Sequence, residues 1–210
     1  YFFRDFSTVS IPSVVVTHNA TSLGFPNLSS VSTDDRAGAD CAADYLIRCG
    51  HRSIAMLGGS LDISDTSARR YEGFLDAFRR HGLPFDAKRF YYAGRFSYEN
   101  GYAGMQAILS RAPEVTAVFA MADVIAIGAM RALADAGLRV PDDVSIIGYD
   151  GLKIGSFYTP KLSTITQQIE LLTKRSFELL IDCIEHDAPA RHLTVPFTLS
   201  VRESVRSISE

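Results

Sequence analysis

Long apolar runs are missing from this sequence of 210 residues. The longest lie at 14–16 and 117–122, far short of the ~20 apolar residues that a membrane-spanning helix needs. We therefore expect no membrane helix. Internal repeats, low-complexity stretches and linkers rich in proline and glycine are missing as well. Because 47% of the residues are hydrophobic, the chain can bury the core of one or two globular domains.

Cysteine is scarce, and the chain holds only 3 such residues: Cys41, Cys49 and Cys183. An odd count argues against a disulfide framework and favours a reducing compartment, so we expect a cytoplasmic protein. Cys41, Cys49 and His51 have the composition of a metal site. A helical path between the two cysteines, however, separates their sulfurs by ~12 Å, whereas zinc needs both within ~2.3 Å. We expect no metal site.

An excess of positive charge is also missing. The formal net charge is −3 at pH 7 and the basic residues form no run, so we do not expect this segment to bind nucleic acid itself. Enzyme motifs are missing too: there is no His-Glu-x-x-His and no Gly-x-Ser-x-Gly, and Gly58 and Gly59 are not followed by the Gly-Lys-Ser/Thr of a phosphate loop. We expect neither an enzyme nor a cofactor.

Short apolar segments alternate with stretches of helical periodicity. Strands are predicted at 14–16, 53–58, 90–93, 117–120 and 145–150. Apolar residues recur at helical spacing over 39–47, 71–78, 126–134 and 177–184. Gly50, Gly82 and Gly137 each follow a periodic stretch and are predicted to end its helix in the left-handed conformation. This order predicts an α/β fold with a mainly parallel sheet and helices on both faces.

Arg70 and Asp150 are the main candidate site residues, because open α/β sheets bind ligands at the carboxyl ends of their strands. Arg70 is predicted near the start of a helix over 68–81, where a cation suggests that something anionic or oxygen-rich lies nearby. The alternative is a solvated arginine. Asp150 ends a strand and can accept hydroxyl hydrogens, at ~1.5–3 kcal/mol for each hydrogen bond. The alternative is a turn aspartate before Gly151.

Other candidates are weaker. Phe96 follows a strand and either stacks against a ligand ring or covers the core. Thr66 either contacts the ligand or caps its helix. Asp123 is expected to cap a helix while sending one oxygen toward a ligand. Asp34 and Asp35 are expected to be structural acids in the first turn of a helix.

Six segments follow one another along the chain: VSTDDRAG (31–38), LIRCGHRSIAMLGG (46–59), RYEGF (70–74), VPDDVSIIGYD (140–150), LSTITQ (162–167) and VRES (201–204). Together they resemble the lactose- and galactose-repressor (LacI/GalR) family of bacterial transcription regulators. The resemblance covers essentially the whole chain and depends on the set, since a single piece such as GHR is unspecific.

The resemblance implies the two-lobed fold of periplasmic binding proteins (type I). It places residues 1–32 and 162–188 in an amino-terminal lobe that is incomplete here, and residues 33–161 and 189–210 in a carboxyl-terminal lobe. The helix-turn-helix DNA-binding domain is expected to lie outside this chain. The periodic stretch at 177–184 fits the return to the first lobe.

The resemblance also implies a function. A small effector, with a carbohydrate as the expected class, binds between the lobes and changes operator binding by a dimer. Such coupling is typically ~1–3 kcal/mol and is reciprocal. The implied partners are the effector, operator DNA through the missing domain, and a second copy of the chain, with no membrane. A periplasmic sugar-binding protein of a transporter is the alternative with the same fold.

Several site residues follow from matching positions in the family. The resemblance assigns effector contacts to Arg70, Asp150 and Phe96, further pocket positions to Thr66 and Ile169, and a dimer contact to Ile127 and Tyr158. Tyr158 as a buried residue of its lobe is the alternative.

The chain departs from the family's pattern at three positions. Ala122 stands where relatives usually have Asn or Ser, Thr17 where an acidic residue is common, and Gly151 where a second aspartate is frequent. Each change subtracts a polar contact from a typical sugar site. The pocket is therefore expected to accept a less hydroxylated ligand, or water in the gaps.

Overall fold

The computed structural model describes residues 10–92, 94–186 and 188–208. The strands are β1 (Ser13–Val16), β2 (Leu28–Thr33), β3 (Ile54–Gly58), β4 (Phe90–Tyr92), β5 (Ala117–Ala120), β6 (Ser145–Asp150), β7 (Ser163–Gln167), β8 (His192–Val195) and β9 (Phe197–Ser200). The α-helices are α1 (Asp35–Arg48), α2 (Asp65–Arg80), α3 (Tyr98–Arg111), α4 (Asp123–Asp135) and α5 (Ile169–Glu185).

The chain divides into two compact units. Unit 1 comprises Tyr1–Asp34 and Gln168–Phe197, and unit 2 comprises Asp35–Gln167 and Thr198–Glu210. In unit 1 the described strands form a parallel sheet in the order β1-β2-β8. Helix α5 packs on this sheet, and its apolar residues Leu172 and Leu179 join Val31 of β2 in a small core.

Unit 2 contains the larger sheet, whose described strands have the order β4-β3-β5-β6-β7-β9. The pairs from β4 through β7 are parallel. Helices α1 and α2 pack against each other, and Phe74 of α2 stacks on Phe119 of β5 with ring centroids 5.9 Å apart. Helices α3 and α4 also pack together, with Met105 and Ile108 in one core with Leu57 of β3. Every residue of β3 and β5 is buried. Because neighbouring residues of a strand point to opposite faces of the sheet, these central strands are covered on both faces.

These elements confirm the predicted α/β fold with mainly parallel sheets. Strands β5 and β6 match their predicted bounds, and the last residue predicted for β4, Ala93, lies outside the described residues. Gly50, Gly82 and Gly137 have φ of +96°, +64° and +74°, as predicted for residues that end helices. Strands β2, β7, β8 and β9 were not among the predicted strands.

The unit boundaries differ from the predicted lobe boundaries. Residues 162–167 were predicted in the amino-terminal lobe, but β7 pairs with β6 in unit 2. Residues 192–195 were predicted in the carboxyl-terminal lobe, but β8 pairs with β2 in unit 1. The two points at which the chain passes between the units therefore differ by several residues from the predicted lobe boundaries. Within the described ranges, no helix combines the length and apolar character required to cross a membrane.

Candidate functional site

Arg70 lies at the centre of a buried polar cluster in unit 2. Its side chain is 3% exposed, and its Nε donates a hydrogen bond to Oδ1 of Asp35 at 2.8 Å. One terminal nitrogen donates to the backbone oxygen of Met121, directly after β5. The guanidinium carbon lies 3.5 Å from the ring centroid of Tyr149, in the arrangement of a cation–π contact. Arg70 thus joins α1, α2, β5 and β6.

Asp150 meets this arginine at the end of β6. A terminal nitrogen of Arg70 lies 3.6 Å from Oδ1 of Asp150, and the same oxygen accepts a hydrogen bond from Nε2 of Gln167 at 2.9 Å. Asp150 has φ of +110°, an unusual backbone conformation for a residue other than glycine. Burial raises the pKa of Asp150, and Arg70 and Gln167 partly oppose that shift.

We call Asp35, Arg70, Tyr149, Asp150 and Gln167 the polar rim. Its members come from the start of α1, from α2, and from the carboxyl ends of β6 and β7. The polar rim therefore lies where open parallel sheets bind ligands. An anionic or oxygen-rich group was expected near Arg70. The protein itself supplies one, since Asp35 is the buried ion-pair partner of Arg70.

The start of α2 differs from the prediction. The helix begins at Asp65 rather than at 68, and Ser64 is its N-cap, accepting a hydrogen bond from the backbone nitrogen of Ser67 at 3.2 Å. The alternative in which Thr66 caps the helix is therefore wrong. Thr66 lies half-buried in the first turn. Arg70 lies beyond the first turn, so Asp35 rather than the helix dipole explains its position.

Phe96 lies between β4 and α3 and is 37% exposed. Its Cε1 lies 2.6 Å from the position that a Cβ on Gly59 would occupy. The ring therefore covers the chain directly after β3. This places an aromatic face at the same end of the sheet as the polar rim.

Asp123 is fully buried as the first residue of α4. Its Oδ1 accepts from the hydroxyl of Thr164 and its Oδ2 from the backbone nitrogen of Leu152, both at 2.6 Å. Burial raises the pKa of Asp123 to about 7. The predicted cap is wrong, since Ala122 is the N-cap of α4 and makes no side-chain cap bond. The two carboxylate oxygens thus connect the start of α4 to β7 and to the turn after β6.

Three further predicted residues also belong to unit 2. Ala122 is buried, with 1% exposure. Ile127, with 7% exposure, belongs to the core between α3, α4 and the sheet, and the half-buried Tyr158 packs against that core. Ile127 thus has little surface for a partner, whereas Tyr158 is part-exposed, and the dimer contact stays a prediction.

Two predicted residues belong to unit 1. Thr17 follows β1 with φ of +65°, and its backbone nitrogen donates to the oxygen of Val31 at 2.9 Å. Ile169 is the first residue of α5 and is 54% exposed.

Gly151 has a structural reason for departing from the family's aspartate. Its φ is +78°, and an added Cβ would lie 2.6–2.8 Å from atoms of Thr166. Both the backbone conformation and the neighbouring strand therefore favour glycine.

Sequence reasoning missed three members of the polar rim. Asp35 was expected to be only a first-turn acid, and Tyr149 and Gln167 were not candidates. Tyr149 packs against Gly38, where an added Cβ would lie 2.3 Å from the tyrosine hydroxyl, but this contact exists only in the fold and gives no signal in the sequence. Gln167 ends the segment LSTITQ, but β7 was not predicted, so its position at a strand end was not recognised.

Comparisons with known proteins identify the family to which the chain is similar. Residues 43–205 match the family model of the periplasmic binding protein-like domain. The chain is 33% identical to the probable HTH-type transcriptional repressor ExuR of Bacillus subtilis (strain 168), over 95% of this chain and 59% of that protein.

Solved structures give the same result. The chain is similar to the complex of the transcriptional regulator CelR with cellobiose, with 35% identity, a TM-score of 0.81, and coverage of 87% of this chain and 56% of that one. It is also similar to a LacI family transcriptional regulator from Enterococcus faecium with bound ribose, with 32% identity, a TM-score of 0.78, and coverage of 87% and 67%. The chain spans between 54% and 59% of the length of the first curated relatives it matches. It belongs to the periplasmic-binding-protein-like domain family, within the LacI family of transcriptional regulators.

Proposed function

We propose that this chain is the effector-sensing part of a DNA-binding transcription regulator and that its effector is a carbohydrate. The observation that carries the proposal is the buried polar rim, in which Arg70, Asp150 and Gln167 meet at the carboxyl ends of β6 and β7. Binding requires no bond to be made or broken, so we propose no catalytic residue.

The chemistry of the site supports a sugar. The carboxylate of Asp150 accepts hydroxyl hydrogens, and the guanidinium of Arg70 donates to ring or hydroxyl oxygens. The exposed face of Phe96 suits the apolar face of a pyranose or furanose ring. Two relatives in solved structures are described with cellobiose and with ribose. Since position 122 offers only a methyl group, we propose a ligand with fewer hydroxyl contacts there.

Thr66, Thr17 and Ile169 remain proposed further contacts, on the basis of the family resemblance. Asp123 and Ala122 also remain predicted pocket positions, and Asp123 already accepts hydrogen bonds from Thr164 and Leu152.

We further propose that effector binding changes the affinity of the whole regulator for operator DNA, acting in the cytoplasm as a homodimer. The support is that the curated relatives are named as HTH-type repressors or regulators, which favours this reading over a transporter's binding protein. The coupling between effector and operator is then reciprocal.

The proposal is tested by thermal unfolding of the full-length protein with ribose, glucose or cellobiose. A ligand that binds only the folded state adds RT ln(1 + [L]/Kd) to its stability, about 2.7 kcal/mol at a hundredfold excess over Kd. We expect at least one sugar to raise the Tm, and Asp150→Asn to remove that increase. Asp142→Asn, on an exposed loop, is the control and should keep it. No increase with any of the sugars would contradict a carbohydrate effector.

A further inference from the structure

Ser67 carries a buried hydroxyl that the site described above does not use. The residue lies in the first turn of α2 and is 0% exposed. Among the described residues, its Oγ has no hydrogen-bond partner. Buried hydroxyl groups are nearly always hydrogen-bonded, because an unpaired one loses its bonds to water without replacement. A hydroxyl kept in this state calls for an explanation.

Helix capping does not supply one. The cap of α2 is the hydroxyl of Ser64, which accepts from the backbone nitrogen of Ser67. A serine near a helix start usually bonds to a nearby backbone group, but the Oγ of Ser67 does not do so. The side chain is therefore not needed to begin the helix.

The surroundings of Ser67 point to the ligand site. A Cβ added to Gly59 would lie 2.7 Å from Oγ of Ser67 and 2.6 Å from Cε1 of Phe96. The hydroxyl and the aromatic ring thus approach the same point directly after β3. Arg70 lies three residues further along α2, and residues at this spacing are neighbours on one helix face. Ser67 is therefore a neighbour both of Arg70 in the polar rim and of the aromatic ring.

We propose that the hydroxyl of Ser67 is an effector-binding group, covered by Phe96 in the free protein and exposed when that ring moves to stack on the ligand. This inference rests on the proposed function and extends it. The ligand is a carbohydrate, and one of its hydroxyl groups exchanges a hydrogen bond with Oγ of Ser67. Arg70 and Asp150 hold other oxygens of the same molecule.

The free energy of an unpaired buried hydroxyl gives the proposal a distinctive signature. Ser67→Ala removes the unpaired group and places a good helix former in α2, so the free protein should be as stable as wild type or more stable. The same substitution removes a ligand contact. If the hydroxyl were purely structural, Ser67→Ala would lower the stability of the free protein and leave the affinity for the sugar unchanged.

Ser53 offers a matched control. Its Oγ is also buried without a hydrogen-bond partner among the described residues, but it directly precedes β3, at the opposite end of the strand from Gly59. Ser53→Ala therefore makes the same chemical change far from the polar rim.

The experiment measures Tm and the Kd of ribose, glucose and cellobiose for full-length wild type, Ser67→Ala and Ser53→Ala. We expect Ser67→Ala to keep or raise the Tm of the free protein. We also expect it to raise the Kd of the sugar about five- to tenfold, which corresponds to the loss of one hydrogen bond. Ser53→Ala should leave Kd unchanged.

Each other outcome overturns the proposal. If Ser67→Ala lowers the Tm and Ser53→Ala does not, the hydroxyl is structural. If a sugar binds wild type and Ser67→Ala equally, the role of Ser67 is wrong while the proposed function stands. If none of the sugars binds wild type, the carbohydrate proposal fails and the role of Ser67 fails with it.

Discussion

At the scale of single residues, Arg70 links the candidate site to the stability of the fold. Its buried ion pair with Asp35 means that removing the arginine leaves a carboxylate without its charged partner in a buried position. Loss of one partner of such a pair costs about 3–5 kcal/mol. A binding defect in an Arg70 variant must therefore be separated from a folding defect.

We predict that Arg70→Ala lowers the free energy of unfolding by about 3–5 kcal/mol. The neighbouring Arg69, which is part-exposed and pairs with Asp65 at 2.6 Å, is the control. Arg69→Ala should cost at most about 1 kcal/mol, because exposed ion pairs contribute little. Urea unfolding followed by circular dichroism measures both. Equal losses in the two variants would contradict a special role for the Arg70–Asp35 pair.

His51 makes a second prediction, on pH. Its buried ring connects Thr116 and the backbone oxygen of Arg206, at 3.0 and 3.1 Å from its two nitrogens. Burial lowers the pKa of His51 in the folded chain. Below the ordinary pKa of about 6.5, the unfolded state therefore binds more protons than the folded state, and stability falls as pH falls.

We expect wild type to lose more stability than His51→Gln between pH 7.5 and pH 5.5. Asp123, whose pKa is raised to about 7, titrates in the same pH range in both proteins and changes their stability in the opposite direction. We therefore compare the slopes of stability against pH for the two proteins. Thermal unfolding across this pH range measures the slopes. Parallel curves for the two proteins would show that His51 is not kept neutral by the fold.

The sequence could predict that Arg70 and Asp150 lie at one end of the sheet, but not which residues they contact. Asp150 was predictable because it ends an alternating apolar strand, and Arg70 because it follows a polar loop in a periodic helix. Asp35 and Gln167 could not be found in this way, since each depends on which distant element packs against α2 or β6. Asp123 was misjudged because its burial is set by Leu152 and Thr164, which are remote in sequence.

At the scale of elements, periodicity predicted the helices better than the strands. Apolar spacing located α1, α2, α4 and α5 because each has one buried face. Strand β2, with the sequence LSSVST, is buried at every position but holds mostly small polar residues, so no apolar run announces it. The polar first turn of α2 likewise hid the start of that helix.

Helix pairs in unit 2 approach each other at glycines. An added Cβ at Gly73 of α2 would lie 2.0 Å from the backbone oxygen of Arg36 in α1, and one at Gly128 of α4 would lie 2.0 Å from that of Tyr98 in α3. Backbone atoms cannot move aside as a flexible side chain can, so any side chain there separates the helices.

We predict that Gly73→Ala and Gly128→Ala each destabilise the protein by about 1–3 kcal/mol, the usual cost of overpacking. This loss exceeds the gain of up to about 1 kcal/mol that alanine brings to a helix interior. Ser110→Ala, at an exposed position of α3, is the control and should stay within about 0.5 kcal/mol of wild type. Stability of both glycine variants at or above that of wild type, in chemical denaturation, would contradict the close approach.

At the scale of the whole molecule, the proposed homodimer needs a surface that a partner can cover. Ile127 is buried in the core and offers little surface to a partner. Phe157, next to the predicted contact Tyr158, is 77% exposed. Ile154, in the short 3-10 helix Lys153–Ser156 that Phe157 follows, is 46% exposed. Exposed apolar groups close together in a segment are typical of interfaces. We therefore place the proposed dimer contact around residues 152–158 of unit 2.

We predict that Phe157→Glu weakens self-association of the full-length protein at least tenfold, because a charge would be buried without a partner in the interface. Ile63→Glu is the matched control, since Ile63 is 78% exposed in unit 2 but lies in the loop before α2. Sedimentation velocity over a range of concentrations measures both variants. A wild-type protein that stays monomeric would contradict the dimer, whereas equal weakening by both variants would move the contact away from residues 152–158.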